Sequence, residues 1–312
     1  MKKGNISVII PTYKGAGQIN RAVDSVVKQT YKNFDIYVVD DNDPSSIDRK
    51  QTADAVSKYL IMENFHYIQH EKNKNGAAAR NTGLKLADGE FITFLDDDDY
   101  LLKERFQIAV QELNVNEKIS IVFFNVKKTD NSKKEIVISA PSEISNVSLL
   151  LDAGMMGTGS NLFMRREVFL GNGFFDERYI RYQDVEYMSR ALAKYKAIWI
   201  DQIMIVKSVN GVNNRPDIFK LYQMQQYLHE DMNTKMGEIS PDIKKKIIER
   251  HASSLFMKAM SGNCSKEEVI FAKKNLQKIR KMLNKERLCY SLYKVSPYLY
   301  KKIRKVFNLM KK

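Results

Sequence analysis

The sequence predicts an α/β protein, a mostly parallel sheet flanked by helices, followed by a basic C-terminal helical region. Three observations point there. Short apolar runs alternate with amphipathic, helix-length segments through the first hundred residues. Two of those runs end in adjacent aspartates. The charge balance breaks sharply near residue 240.

Ile6–Ile10 is a short, β-branched apolar run, the pattern of a buried strand. Ile19, Ala22, Val23, Val26 and Val27 recur at helical spacing over Ile19–Gln29. Phe34–Val39 reads as a strand, Thr52–Met62 as a helix and Phe65–Ile68 as a short strand. Gly76–Ala87 reads as a helix and Phe91–Leu95 as a strand. Strand and helix in turn imply a mostly parallel sheet with both faces covered. Beyond it, Arg105–Leu113 looks helical and Ile119–Asn125 strand-like, with a polar turn at Thr129–Lys134 before Glu135–Ser139. A glycine-rich stretch, Gly154 to Ser160, precedes a short apolar run. Gln183–Lys194 has helical spacing, and Ala197–Ile200 and Met204–Val209 read as two strands. From Pro216 onward the pattern is helical throughout. The expected domains are 1–215, with halves at about 1–99 and 100–215, and 216–312.

The bulk composition suits a globular chain. It has 312 residues, 44% hydrophobic and 28% charged. No stretch approaches the ~18 apolar residues of a membrane-spanning helix. The first apolar run is too short for a signal peptide, and Pro11-Thr12-Tyr13 is no small-residue cleavage site. The expectation is a chain that stays in the cytoplasm. Cys264 and Cys289 are widely separated and show no metal-ligand spacing, so they read as reduced thiols. The histidines form no ligand motif, although strand periodicity would let His66 and His70 share a face. The net charge of +14 is not evenly spread: residues 241–312 hold 20 Lys and Arg against 5 Asp and Glu, and the first 240 hold 31 against 32.

Chemistry should sit where parallel strands end, because ligands of open α/β sheets bind beyond the carboxyl ends of the strands. Val38-Val39 ends in Asp40-Asp41, Phe94-Leu95 in Asp96-Asp97-Asp98-Asp99, and the first strand in Pro11-Thr12-Tyr13. If the strands are parallel, all three ends share one edge. Two carboxylates about 5 Å apart repel by about 3 kcal/mol at an effective dielectric of ~20. A hard cation, Mg²⁺ or Mn²⁺, removes that penalty. An exposed acidic loop without a ligand is the plainer alternative. No phosphate-binding GxxxxGK[ST] or GxGxxG loop follows the first strand. Any bound nucleotide must then rely on the metal, aided by the helix start at Gly76 and by Arg80. Taken alone, Arg80 is equally an ordinary surface helix residue.

The ordered motifs resemble a family 2 glycosyltransferase. They run from Ser7-Val8-Ile9-Ile10-Pro11-Thr12-Tyr13 through Gln29-Thr30-Tyr31, Val39-Asp40-Asp41-Asn42, Ala79-Arg80-Asn81-Thr82-Gly83 and Asp88-Gly89-Glu90-Phe91-Ile92 to the aspartate run. Gly173-Phe174-Phe175-Asp176-Glu177 and Gln183-Asp184 follow downstream. The resemblance implies a GT-A (Rossmann-like) fold and an inverting, metal-dependent transfer from a nucleotide-diphosphate sugar, expected to be a UDP-sugar. It implies that Pro11, Thr12 and Tyr13 border the base and that Asp41 accepts a hydrogen bond from it. Asp96 and Asp98 would be the acids of the DxD motif, Asp98 the main metal ligand and Asp96 sharing the ion or facing the ribose. Asp97 and Arg80 would lie on the donor side, and Asp184 would be the catalytic base. Helix pattern alone reads Asp184 as a first-turn carboxylate favoured by the helix dipole. The chain departs from the family twice: Gln183 stands where Glu is usual, and Lys207-Ser208-Val209 replaces an Arg-x-His element, leaving Lys207 to face the diphosphate.

The same resemblance implies a saccharide or lipid-linked saccharide acceptor and a role in bacterial cell-surface polysaccharide synthesis. A sugar-phosphate nucleotidyltransferase is the alternative enzyme, echoed faintly in Lys14-Gly15-Ala16-Gly17. A non-catalytic scaffold of the same fold is the other. The basic tail carries Leu299, Ile303, Val306 and Met310 on one helical face with lysines elsewhere, which suits an anionic membrane surface. Packing against the catalytic domain is its alternative. No nucleic-acid-binding motif accompanies the charge, so no nucleic-acid partner is expected. The enzyme is thus expected to be peripheral on the inner face of the cell membrane.

Overall fold

The computed structural model describes residues 1–129, 135–208, 217–261, 264–298 and 300. Two compact units are present, Met1–Asn214 and Arg215–Lys312.

The first unit opens with β1 (Lys2–Thr12), α1 (Ile19–Val27), β2 (Phe34–Asp40), α2 (Ile47–Val56), β3 (Phe65–Gln69), α3 (Gly76–Leu86) and β4 (Gly89–Phe94). It continues with β5 (Asp99–Leu101), α4 (Arg105–Val115), β6 (Ile119–Thr129), β7 (Glu135–Ile138), α5 (Asn146–Leu151), β8 (Phe163–Arg165), α6 (Arg166–Asn172), α7 (Gln183–Leu192) and β9 (Lys196–Ser208). These strands form one sheet in the order β3-β2-β1-β4-β8-β6-β9-β5, with β7 paired to β6.

β1 to β4 pair in parallel, as strand–helix alternation demands. The antiparallel pairs all involve β5, β7 or β8, which are only three or four residues long. Strands that short carry no readable periodicity, and β5 and β8 are not foreseen. The core divides along the period of two. Ile6, Val8 and Ile10 face one layer, with Val23 of α1 and Phe106 of α4, and Ile9 faces the other, with Leu84 of α3 and Met188 of α7.

Two expectations shift. The helix expected at Thr52–Met62 starts earlier, at Ile47, because Ser46 caps it by accepting a hydrogen bond from the Arg49 N–H; it gives way to a 3₁₀ turn at Ser57–Tyr59. The two strands expected at 197–200 and 204–209 are one strand, β9. The polar pair Asp201-Gln202 that separates them in sequence sits at a bulge, where Ile200 pairs Phe124 and Ile203 pairs Asn125. Val209 and the turn residues 130–134 lie outside the described residues.

The second unit is helical: α8 (Ile218–Thr234), α9 (Pro241–Ser261), α10 (Lys266–Ile279) and α11 (Asn284–Val295). Asp217 caps α8, and Ser265 with Glu268 forms a capping box on α10. Between α8 and α9, His229 and His251 stack at 5.2 Å with Nε2 and Nδ1 3.0 Å apart. The stripe expected from Leu299 to Met310 lies outside the described residues.

Candidate active site

Parallel register brings the three strand ends together. Thr12 pairs Asp40, the Asp41 N–H donates to the Thr12 carbonyl at 2.9 Å, and the Leu95 N–H donates to the Ile9 carbonyl at 3.0 Å. Beyond these ends lies a cleft of ≈ 290 Å³. Pro11, Thr12, Tyr13, Asp41, Arg80, Asp96, Asp97, Asp98 and Lys207 all line it.

The aspartate run is a tight turn between β4 and β5, closed by the Asp99 N–H on the Asp96 carbonyl at 3.0 Å. The turn gives its four carboxylates different sets of partners. Asp96 accepts from Arg80 Nη2 at 2.6 Å and from the Thr158 hydroxyl at 3.1 Å. Asp97 accepts from the Thr12 hydroxyl at 2.6 Å, which ties the turn to the end of β1. Asp98 is partly exposed toward the cleft, and its carbonyl accepts from Arg21 at 2.5 Å. Asp99 is fully buried and accepts from Thr158 at 2.6 Å and Ser160 at 2.7 Å, both through one oxygen; among the described residues its Oδ1 has no partner.

The electrostatics follow from burial. Burial raises Asp97 to about 6, against the Thr12 hydrogen bond and with help from the Asp96 charge. Burial and the Asp96 charge raise Asp98 to about 6, against Lys207. Burial raises Asp99 to about 7, again opposed by Lys207 and assisted by Asp96 and Asp98. Asp96 moves the other way: burial would raise it, but Arg80, Lys207 and the Thr158 hydrogen bond outweigh that and hold it below its ordinary value. Lys207 lies on β9 opposite Asp99 of β5. Burial would deprotonate it, and the charges of Asp99, Asp96, Asp98 and Asp184 keep it protonated.

The acidic turn suits a hard cation. Asp96, Asp98 and Asp99 each offer a carboxylate oxygen within 4.8 Å of the others. Oxygens around an octahedral ion at about 2.1 Å lie about 3–4 Å apart, so small rotations complete the set. The unpartnered, buried Oδ1 of Asp99 is the strongest sign that the turn is built for a further positive partner.

Asp41 is engaged more fully than the sequence suggests. His70 Nδ1 donates to it at 2.7 Å, the N–H groups of Lys74 and Asn75 each at 2.8 Å, and Asn73 Nδ2 at 3.0 Å. Both oxygens therefore hold the 73–75 loop. Asn75 then adopts φ 90° and caps α3 by accepting from the Ala77 and Ala78 N–H groups. The next turn of α3 carries Arg80, whose guanidinium donates to the Gly76 carbonyl, Gln183 Oε1 and Asp96. Asp41 thus fixes Asp96 through one loop and one helix. His70, between Asp41 and Thr82, is part of this scaffold. His66 stacks on Tyr37 instead, so the two histidines do not share a site.

Asp184 lies in the first turn of α7 and does not itself line the cleft. Its neighbours do reach it: Gln183 through Arg80, and Arg181 at the rim. Tyr182, between them, has φ 64°, an unusual conformation for a bulky residue and one that turns the chain sharply into α7. The expected motifs also interlock: Asn81 donates to the Phe175 carbonyl and to Glu177 and accepts from the Phe175 N–H.

Sequence reasoning missed several residues. Lys14, Gly15, Gln18 and Arg181 also line the cleft. Thr158 and Ser160 hydrogen-bond the acidic turn from the glycine-rich stretch, whose sequence carries no recognisable site motif. Gly15 has a readable physical reason: a Cβ there would lie 1.9 Å from Asp97 Oδ2.

Comparison with known proteins agrees with this geometry. Residues 7–171 match the glycosyl transferase family 2 model. The chain is 31% identical over 210 residues to the amylovoran biosynthesis glycosyltransferase AmsB of Erwinia amylovora, covering 61% of this chain and 65% of that protein. It is 31% identical over 150 residues to WfgD of Escherichia coli, described as UDP-Glc:alpha-D-GlcNAc-diphosphoundecaprenol beta-1,3-glucosyltransferase, covering 48% and 56%. It therefore spans less than two thirds of these relatives' length. The crystal structure of S. aureus TarS 1-349 in complex with UDP-GlcNAc superposes with a TM-score of 0.69 at 19% identity, covering 98% of this chain and 92% of that one, which establishes the GT-A fold. With its motifs matched over more than half its length and gathered around one cleft, the chain belongs to glycosyl transferase family 2.

Proposed function

We propose that the protein is an inverting, metal-dependent glycosyltransferase of cell-surface polysaccharide synthesis. It moves a sugar from a nucleotide-diphosphate sugar, UDP-linked, to a hydroxyl of a saccharide or lipid-linked saccharide. The observation that carries this reading is one cleft holding both an acidic turn and a lysine, Lys207, that the surrounding aspartates keep protonated. The names of WfgD and of the TarS complex, which specify UDP-sugars, support the donor class, and that of WfgD supports the acceptor class.

The roles follow from position. Residues from about 1–99 supply most of the donor side, and residues from about 100–215 the acceptor side. Pro11, Thr12 and Tyr13 border the base, and Asp41 holds the loop beside it. Asp98 and Asp96 would hold Mn²⁺ or Mg²⁺, with the Asp99 carboxylate within reach. When bound, the ion offsets the charge that develops on the departing diphosphate. Lys207 adds a second positive charge there, and Arg80 keeps Asp96 ionised and in place. Asp184 takes the acceptor hydroxyl's proton as that oxygen attacks the anomeric carbon. One displacement inverts the configuration, so an α-linked donor gives a β-linked product.

The basic helical unit brings the enzyme to the cytoplasmic face of the membrane. It holds 23 Lys and Arg against 9 Asp and Glu, and no described helix is long and apolar enough to cross a membrane.

A panel of nucleotide-sugars incubated with Mn²⁺ or Mg²⁺ and lipid-linked saccharides tests the proposal. Release of nucleoside diphosphate with a β-linked product is expected. Pyrophosphate release from a nucleoside triphosphate and a sugar phosphate would assign the nucleotidyltransferase instead. Failure to bind or turn over any donor would leave only a scaffold.

A further inference from the structure

The helical unit contains a cavity of ≈ 430 Å³ between α10 and α11. Lys273 and Gln277 of α10, Lys281 of the connection, and Arg287, Tyr290 and Ser291 of α11 line it, and among the described residues no carboxylate does. The acid nearest in sequence, Glu286, is buried and spent elsewhere: it accepts from Arg280 at 2.7 and 2.9 Å and from Ser253 at 2.5 Å. Among the described residues, Lys273, Lys281 and Arg287 form no ion pair. The Lys273 ammonium is placed over the Tyr290 ring, 4.4 Å from its centre. Three unneutralised cations around one concavity focus a positive potential into it and select an anion. Gln277 of α10 and Ser291 of α11 supply neutral hydrogen-bond donors to the same cavity.

The surroundings say which anion. Leu288 and Val295, seven residues apart on one face of α11, are 62% and 80% exposed, and Leu283 and Tyr298 are 59% and 77% exposed. Exposed apolar side chains beside a cationic pocket fit the boundary between lipid headgroups and acyl chains. We propose that this pocket seats the phosphate of an acidic phospholipid headgroup, with Leu288 and Val295 entering the acyl boundary. The proposal rests on the membrane-docking reading above and sharpens it from diffuse attraction to a defined lipid site.

Co-sedimentation of the full chain with vesicles of phosphatidylglycerol in phosphatidylcholine tests it. The pocket pair Lys273→Gln with Arg287→Gln is compared with Lys245→Gln and Lys246→Gln, an equal charge change on α9 outside the pocket. At about 1 kcal/mol per cation near an anionic surface, the pocket pair weakens partitioning about thirtyfold, and the α9 pair by less than about threefold. Leu288→Ser with Val295→Ser, exposed positions that leave the fold intact, also weakens it. Equal losses for the two charge pairs overturn the pocket and leave the membrane reading standing. No partitioning of the unaltered chain overturns both. Calorimetric titration with inorganic phosphate separates the sources. Phosphate binding lost in the pocket pair, with vesicle partitioning unchanged, makes this a free-phosphate site and refutes the lipid assignment.

Discussion

Asp41→Asn separates two meanings of a strand-end aspartate. The resemblance makes Asp41 a contact to the donor's base, whereas the structure surrounds its carboxylate with four protein donors at 2.7–3.0 Å. Asparagine is nearly isosteric, but only one of its two terminal atoms accepts. Two of the four donors must then face an NH₂ group. Hydrogen bonds to a charged group contribute about 1.5–3 kcal/mol each, so losing two costs about 3–6 kcal/mol before relaxation. The loop that loses them begins α3 and sets Arg80 against Asp96. Stability and donor binding should therefore fall together. Urea unfolding reads the first as a lower midpoint at unchanged slope. Calorimetric titration with a nucleotide-sugar reads the second as at least tenfold weaker binding. A variant with an unshifted urea midpoint and lost donor binding would refute the anchoring argument and return Asp41 to direct base contact.

Two further perturbations follow from the same geometry. In Gly15→Ala the new Cβ would meet Asp97 Oδ2 at 1.9 Å and Thr12 Oγ1 at 2.6 Å, the two ends of one hydrogen bond, whereas at Gly17 nothing lies within 4 Å. Gly15→Ala should cost about 1–3 kcal/mol in thermal unfolding and weaken donor binding, with Gly17→Ala near neutral; equal effects at both sites would contradict the Thr12–Asp97 tie. His229, stacked on His251, is lowered to about 3 by burial and by the second imidazole. Its folded value lies below its ordinary one, so this stability is complete above about pH 6.5 and is lost as pH falls toward 3. At pH 5 the loss is about 2 kcal/mol. His229→Gln should flatten the urea midpoint between pH 7 and 5, and an unchanged pH slope in that variant would remove the pair from the acid response.

The parallel half of the fold was readable because its apolar runs are long enough to show a period. β1, β2, β3 and β4 fall on the expected segments, and their register alone gathers Pro11, Asp41 and Asp96 at one edge. The short antiparallel strands were not readable, since three residues carry no period. Within the site, residue types marked the acidic turn, but its four carboxylates differ only through tertiary partners. Asp96 is set apart by Arg80, Asp97 by Thr12 and Asp99 by Thr158 and Ser160, all of them at least 16 residues away. Gln183 reads in sequence as a departure from the family; in the structure it is the neutral acceptor that leaves Arg80 with one carboxylate partner, Asp96.

Asp184, although outside the cleft lining, is proposed to remove the acceptor's proton. Asp184→Asn keeps the side chain's size and its place in the first turn of α7. The decisive measurement pairs donor affinity with single-turnover transfer in that variant. Donor affinity is expected to stay within about twofold of that of the unaltered enzyme, with transfer slowed by about 10²–10⁴. Transfer at an undiminished rate would contradict that role.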